Sequence, residues 1–227
     1  QFIYNNMDKI TNIAVSIDTH TPHQIFPSVL VDWWKWQQSG SLHTDYAGRP
    51  WFWKVQSCYL PRQSRDYVEH LEKDGKKTLC VWSYHCLQGT SGAAFENQFA
   101  NMIYFHSVAK KAVTQRLVKG QDPLSEMYGI IKPEYDTKNY INIDFLNKLE
   151  NYDKIIIAGE AKSHCVLESI KQILEHYANR PEITQKIYIL EDCMSSIPGF
   201  EDVTEQTFDD FKKTYHVNIV KSTDDIL

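Results

Sequence analysis

Two short runs, Ile155-Ile-Ile157 and Tyr188-Ile-Leu190, are apolar at every position and do not alternate with polar residues. A half-exposed strand alternates with a period of two. A strand apolar throughout is covered on both faces, as in parallel sheets flanked by helices. The rest of the chain fits that reading. Short β-branched or apolar runs at Ile13–Ile17, Thr78–Trp82, Thr114–Val118, Lys154–Ala158, Lys186–Leu190 and Asn218–Val220 are the expected strands. They alternate with helical patterns at Phe2–Lys9, Ser64–Lys73, Phe95–Ala109, Ile143–Leu149, Cys165–His176 and Thr204–Tyr215. This order predicts a three-layer α/β/α domain around a mainly parallel sheet. At 227 residues, the chain is expected to form one domain spanning residues 1–227.

Composition narrows the partners. The chain is 42% hydrophobic and 13% aromatic, enough to build a sizeable core, and its net charge is -5 with scattered basic residues. A nucleic-acid-binding face would need clustered Lys and Arg, so none is expected. No apolar run approaches the roughly 20 residues of a membrane helix, and no secretory signal opens the chain. The five cysteines, Cys58, Cys80, Cys86, Cys165 and Cys193, are odd in number and form no CxxC pair. Reduced thiols in the cytoplasm are the expectation.

Residues 26–61 break the α/β rhythm. This stretch carries Trp33, Trp34, Trp36, Trp51 and Trp53 together with Gly40, Gly48, Pro50 and Pro61. It is too long and too aromatic for an ordinary connection. The readings are an excursion packed by its own aromatic residues, a lid, or a contact between copies of the chain, since Trp favours interfaces.

Ligands of open parallel sheets bind beyond the carboxyl ends of the strands. Asp18 and His20 follow the first expected strand, His85 the second, Lys119 the third and Cys165 the fourth. Cys165 stands at the start of the helix that follows the small-residue turn after Ile155–Ala158. Free N–H groups and the helix dipole favour an anion there, lowering a thiol pKa and offering an oxyanion site. Lys162 and His164 either add to that effect or face solvent. Asp18 and His20, two apart in an extended segment, point the same way and can share an ion.

The segment Gly159-Glu-Ala-Lys-Ser-His-Cys-Val166 resembles the nucleophile turn of the nicotinamidase/isochorismatase family of cysteine hydrolases. Val118-Lys-Gly-Gln-Asp-Pro123 resembles that family's lysine loop, and Trp82-Ser-Tyr-His-Cys86 its Trp-Pro-x-His-Cys segment, with Ser83 in place of the proline. The resemblance implies Cys165 as nucleophile and Lys119 beside it as the stabilising cation. It also implies a cis bond at Glu160–Ala161, with the N–H groups of Ala161 and Cys165 holding the oxyanion. Asp18, His20 and His85 would bind a divalent metal. One carboxylate with two imidazoles suits Zn²⁺ first, or Fe²⁺ or Mn²⁺. His23 reads as a loop histidine, and Trp82 would line the ring pocket.

The expected activity is hydrolysis of a small amide, nicotinamide to nicotinate and ammonia, through a thioester. Such a reaction belongs to pyridine nucleotide salvage. The alternatives are an isochorismatase-like hydrolase of another small substrate, or a catalytically silent member that acts as a binding protein. Members of the family are often oligomers, so a homo-oligomer is expected. The family's catalytic base is an Asp at the end of a first strand. The residues from Gln1 onward match the helix that follows it, so an upstream segment carrying that strand is expected.

Overall fold

The computed structural model describes residues 1–24, 43–44, 50–51, 61–73, 79–80 and 82–227. Most of the Trp-rich stretch therefore lies outside the described residues. Within it, β2 (His43–Thr44) and β3 (Pro50–Trp51) form a short antiparallel pair. The fold is mixed α/β with parallel sheets, and the chain divides into two compact units.

The first unit comprises Asn12–Met127 and Pro133–Asn139. Strand β1 (Ala14–Asp18) pairs in parallel with β4 (Gln115–Lys119), in a register running from Ala14 opposite Gln115 to Asp18 opposite Lys119. Parallel neighbours need a long crossover, and helices α2 (Pro61–Lys73) and α3 (Asn97–Lys110) lie within it. The start of α3 is capped by the Glu96 carboxylate, which accepts the Phe99 N–H at 2.9 Å. Its end turns on Lys111 in the left-handed conformation. Tyr67, Val68 and Leu71 of α2 form a buried cluster with Leu79, and Trp82 and Tyr135 pack against it.

The expected strand Thr78–Trp82 does not form a strand among the described residues. Leu79 and Cys80 carry no assigned secondary structure and Trp82 is a bridge residue, while Thr78 and Val81 lie outside the described residues. Leu79 is buried in the α2 cluster. A short apolar run reports burial as readily as strand pairing.

The second unit comprises Gln1–Thr11, Tyr128–Lys132 and Tyr140–Leu227. Strands β5 (Ile155–Ile157), β6 (Ile187–Leu190) and β7 (Asn218–Val220) form a parallel sheet in that order. Ile187 and Ile189 are fully buried, as their all-apolar run requires. Helix α4 (Ile143–Leu149) buries Phe145, Leu146 and Leu149, and α5 (Leu167–His176) buries Ile170, Ile173 and Leu174. The short α6 (Pro181–Thr184) opens on a proline, whose fixed φ suits a first helical position. Helix α7 (Glu201–Tyr215) buries Thr204, Phe208 and Phe211.

Helix α1 (Phe2–Asn5) is shorter than the expected Phe2–Lys9. The Phe2 carbonyl takes both the Asn6 N–H at 3.1 Å and the Asn6 side-chain amide at 3.0 Å. Ahead of α5, residues Lys162–Val166 form a π-helical turn, so the helix expected to start at Cys165 begins earlier. The Val166 N–H reaches the Ala161 carbonyl at 3.1 Å, the five-residue step that defines that turn. Among the described residues no helix is long and apolar enough to cross a membrane.

Candidate metal centre and nucleophile turn

The parallel register makes Asp18 and Lys119 neighbours at the carboxyl end of β1 and β4. Lys119 Nζ lies 3.0 Å from Asp18 Oδ1 and donates to the Met127 carbonyl at 3.0 Å. The Lys119 side chain is 5% exposed, and a cation buried to that degree needs a counter-charge. Burial pushes the Asp18 carboxyl up. The His20 hydrogen bond and the Lys119 and His20 charges outweigh it, holding the group below the usual carboxylate range.

Beyond Asp18 the chain continues alongside the segment that carries His85. The His20 N–H donates to the Cys86 carbonyl and the Gln88 N–H to the His20 carbonyl, both at 2.9 Å. These bonds make a parallel bridge between His20 and Leu87. Cys86 takes a positive φ of 47° in the turn just after His85. His20 Nε2 lies 3.1 Å from Asp18 Oδ2 and His85 Nε2 lies 3.8 Å from the same oxygen. The two imidazole rings meet edge to face with centroids 4.8 Å apart.

The other ring nitrogens face backbone carbonyls. His20 Nδ1 is 2.9 Å from the Gly120 carbonyl, and His85 Nδ1 is 2.8 Å from the Ser83 carbonyl. A carbonyl oxygen only accepts, so each Nδ1 donates and each Nε2 is the ring atom turned toward Asp18 Oδ2. Metal-binding histidines are commonly oriented through such a bond.

The donor set fits a divalent ion. One ligand atom from each of Asp18, His20 and His85 lies within 4.8 Å of the others. Tetrahedral bonds of about 2.1 Å would bring such atoms to roughly 3.4 Å apart, a modest contraction. Gly120 makes the cradle possible. Its φ is +74°, and a Cβ there would sit 2.5 Å from His20 Cε1 and 2.7 Å from Asp18 Oδ1. Trp82 presents its ring to His85 with centroids 6.4 Å apart. His23 is exposed and is not one of these three donors.

Cys165 belongs to the second unit, in the π-helical turn, and is half-buried. Cys80, Cys86, Cys165 and Cys193 carry thiols and no disulfide. The Glu160–Ala161 peptide bond is cis, where the resemblance places it. Side chains on both sides of that bond anchor the turn. Glu160 Oε2 accepts from the Ser195 N–H at 3.1 Å and from the Ser195 hydroxyl at 2.9 Å, and the Lys162 N–H donates to the Ser195 carbonyl at 2.8 Å. The Lys162 ammonium pairs with Glu205 at 2.5 Å and sits over the Phe208 ring. Lys162 therefore does not face solvent, and its charge is matched locally. His164 bonds the Ser163 hydroxyl at 2.8 Å and meets the edges of Phe200 and Tyr128. Ser169 donates its hydroxyl to the Cys165 carbonyl at 2.6 Å.

Sequence reasoning singled out the three donors and Lys119, and the structure brings these four together. It missed Gln24, which is buried and donates to the Gly120 carbonyl at 2.8 Å. It also missed Ser195 and Glu205, which anchor the turn around Cys165 from distant positions. A polar residue in a loop carries no periodic signal. The visible hint was Gly120 directly after Lys119.

This arrangement sits on the fold of the nicotinamidases. Solved structures with that fold include the nicotinamidase of Acinetobacter baumanii, with a TM-score of 0.59 and 16% identity, covering 100% of this chain and 84% of that one. The yeast nicotinamidase bound to the inhibitor nicotinaldehyde has a TM-score of 0.56 and 18% identity, covering 97% of this chain and 87% of that one. No protein-family model and no curated protein matches the sequence.

Proposed function

We propose that the protein is a cysteine amidohydrolase that converts nicotinamide to nicotinate and ammonia. The observation that carries this reading is the convergence of Asp18, His20 and His85 with Lys119 at one pair of strand ends. The fold shared with two nicotinamidases supports it, as does the turn around Cys165.

In this reading Cys165 is the nucleophile. Its thiol loses a proton to a carboxylate base, and Sγ forms a bond to the amide carbon. The N–H groups of Ala161 and Cys165 hold the oxyanion. Lys119, paired with Asp18 at 3.0 Å, favours the anionic species along the path. The carbon–nitrogen bond breaks, the proton leaves with ammonia, and water then cleaves the thioester and restores the thiol. A divalent ion on Asp18, His20 and His85, Zn²⁺ first and Fe²⁺ or Mn²⁺ otherwise, would supply Lewis-acid binding for the ring nitrogen. Trp82 would flank the ring. The proposed setting is a cytoplasmic homo-oligomer serving pyridine nucleotide salvage.

Acid-quenching the protein during turnover of nicotinamide and measuring intact mass tests the covalent step. A nicotinoyl thioester on Cys165 is expected. A modification mapped to another residue would overturn the assignment.

A further inference from the structure

We infer that Gln24 is a positioning residue of the metal centre, acting on His20 through the Gly120 carbonyl. The inference rests on the proposed metal-binding role of Asp18, His20 and His85. The Gly120 oxygen takes two hydrogen bonds, one from His20 Nδ1 at 2.9 Å and one from Gln24 Nε2 at 2.8 Å. Both donors are buried, His20 at 6% exposure and Gln24 at 1%. An oxygen with two lone pairs that takes two buried donors is held in direction.

Packing alone does not account for a glutamine at this position. Its Oε1 is buried and has no hydrogen-bond partner among the described residues. Leu or Met would fill a similar volume but would bring no donor to the Gly120 carbonyl. What glutamine adds is the Nε2 donor, and that donor goes to the carbonyl which orients His20. Gly120 itself sits in close quarters, since a Cβ there would fall 2.5 Å from His20 Cε1 and 2.7 Å from Asp18 Oδ1. Without Gln24 the carbonyl can swing, and His20 Nε2 loses its fixed aim at the position shared with Asp18 Oδ2. An outer hydrogen bond of this kind commonly governs metal affinity by about 10- to 100-fold.

The test is titration of the chelator-stripped full chain with Zn²⁺ against a chromophoric chelator, for wild type, Gln24→Leu and Gln24→Glu. Gln24→Glu keeps the volume and removes the donor, so it covers the case in which Gln24→Leu folds poorly. Expected are a dissociation constant raised about 10-fold or more in the variants, and unchanged circular dichroism of the stripped proteins. Faster exchange of the His20 Nδ1 proton by NMR is the readout that a general packing defect elsewhere would not move. Tight wild-type binding with variants within about twofold of it, on the scale of that outer-bond effect, would overturn the inference and leave the metal site standing. Wild-type protein that binds no Zn²⁺ would overturn both.

Discussion

Asp18 and Lys119 are opposed on the last rung of the parallel β1–β4 pair, and their side chains close an ion pair of 3.0 Å. One carboxylate therefore faces a buried ammonium through Oδ1 and two imidazoles through Oδ2. This division follows from the strand register. A shift of one residue would turn Asp18 to the other face of the sheet and separate it from Lys119.

The donor set predicts about one divalent ion per chain in protein purified without chelators, measured by elemental analysis. His85→Ala and Asp18→Asn are each expected to lower occupancy severalfold. Full occupancy in both variants would show that the ion binds elsewhere.

Gly120→Ala places a Cβ 2.5 Å from His20 Cε1 at a residue with φ of +74°. The strained backbone alone should cost about 1–3 kcal/mol. The thermal midpoint of the metal-free protein should fall by several degrees, and metal affinity should fall with it. A variant with wild-type stability and wild-type affinity would contradict the cradle.

Lys162 is buried while its partner Glu205 is largely exposed, at 62% of the side chain. Glu205→Gln keeps a hydrogen-bond acceptor but leaves the buried ammonium without a counter-charge. Solvent around Glu205 screens much of the effect, so about 1 kcal/mol is expected. The Cys165 thiol should also change its rate of alkylation, because Lys162 opens the turn that carries it. Unchanged stability together with an unchanged alkylation rate would remove Lys162 as an anchor.

The Tyr177 hydroxyl donates to the Leu146 carbonyl at 2.7 Å. Burial, with the Glu150 charge behind it, pushes its pKa from 10.0 up to about 12. The neutral phenol is thus favoured in the folded state. Its contribution is complete below pH 10 and is lost as pH rises from 10 toward 12. Tyr177→Phe should be less stable at neutral pH by about 1 kcal/mol and should lose less stability in alkali than wild type. Parallel denaturant midpoints across that range would refute the assignment.

Much of the cluster at the β1–β4 strand ends was legible in the chain because its parts are local. Asp18 and His20 are two residues apart, and Lys119 and Gly120 are adjacent. The buried strands Ile155–Ile157 and Ile187–Leu190 were readable from their unbroken apolar runs. What escaped was decided by tertiary contact. Leu79 is buried with α2 side chains, and α1 stops at Asn5. Gln24 meets Gly120 across 96 residues, beyond the reach of any periodic pattern.

The central claim is that Cys165 performs amide hydrolysis on nicotinamide. Ammonia release from nicotinamide, followed for wild type and Cys165→Ala at equal metal loading, tests it most directly. The account predicts turnover by wild type and a loss of about 1,000-fold or more in the variant, the usual scale for removing a nucleophile. Equal turnover by both proteins, or none by metal-loaded wild type, would contradict it.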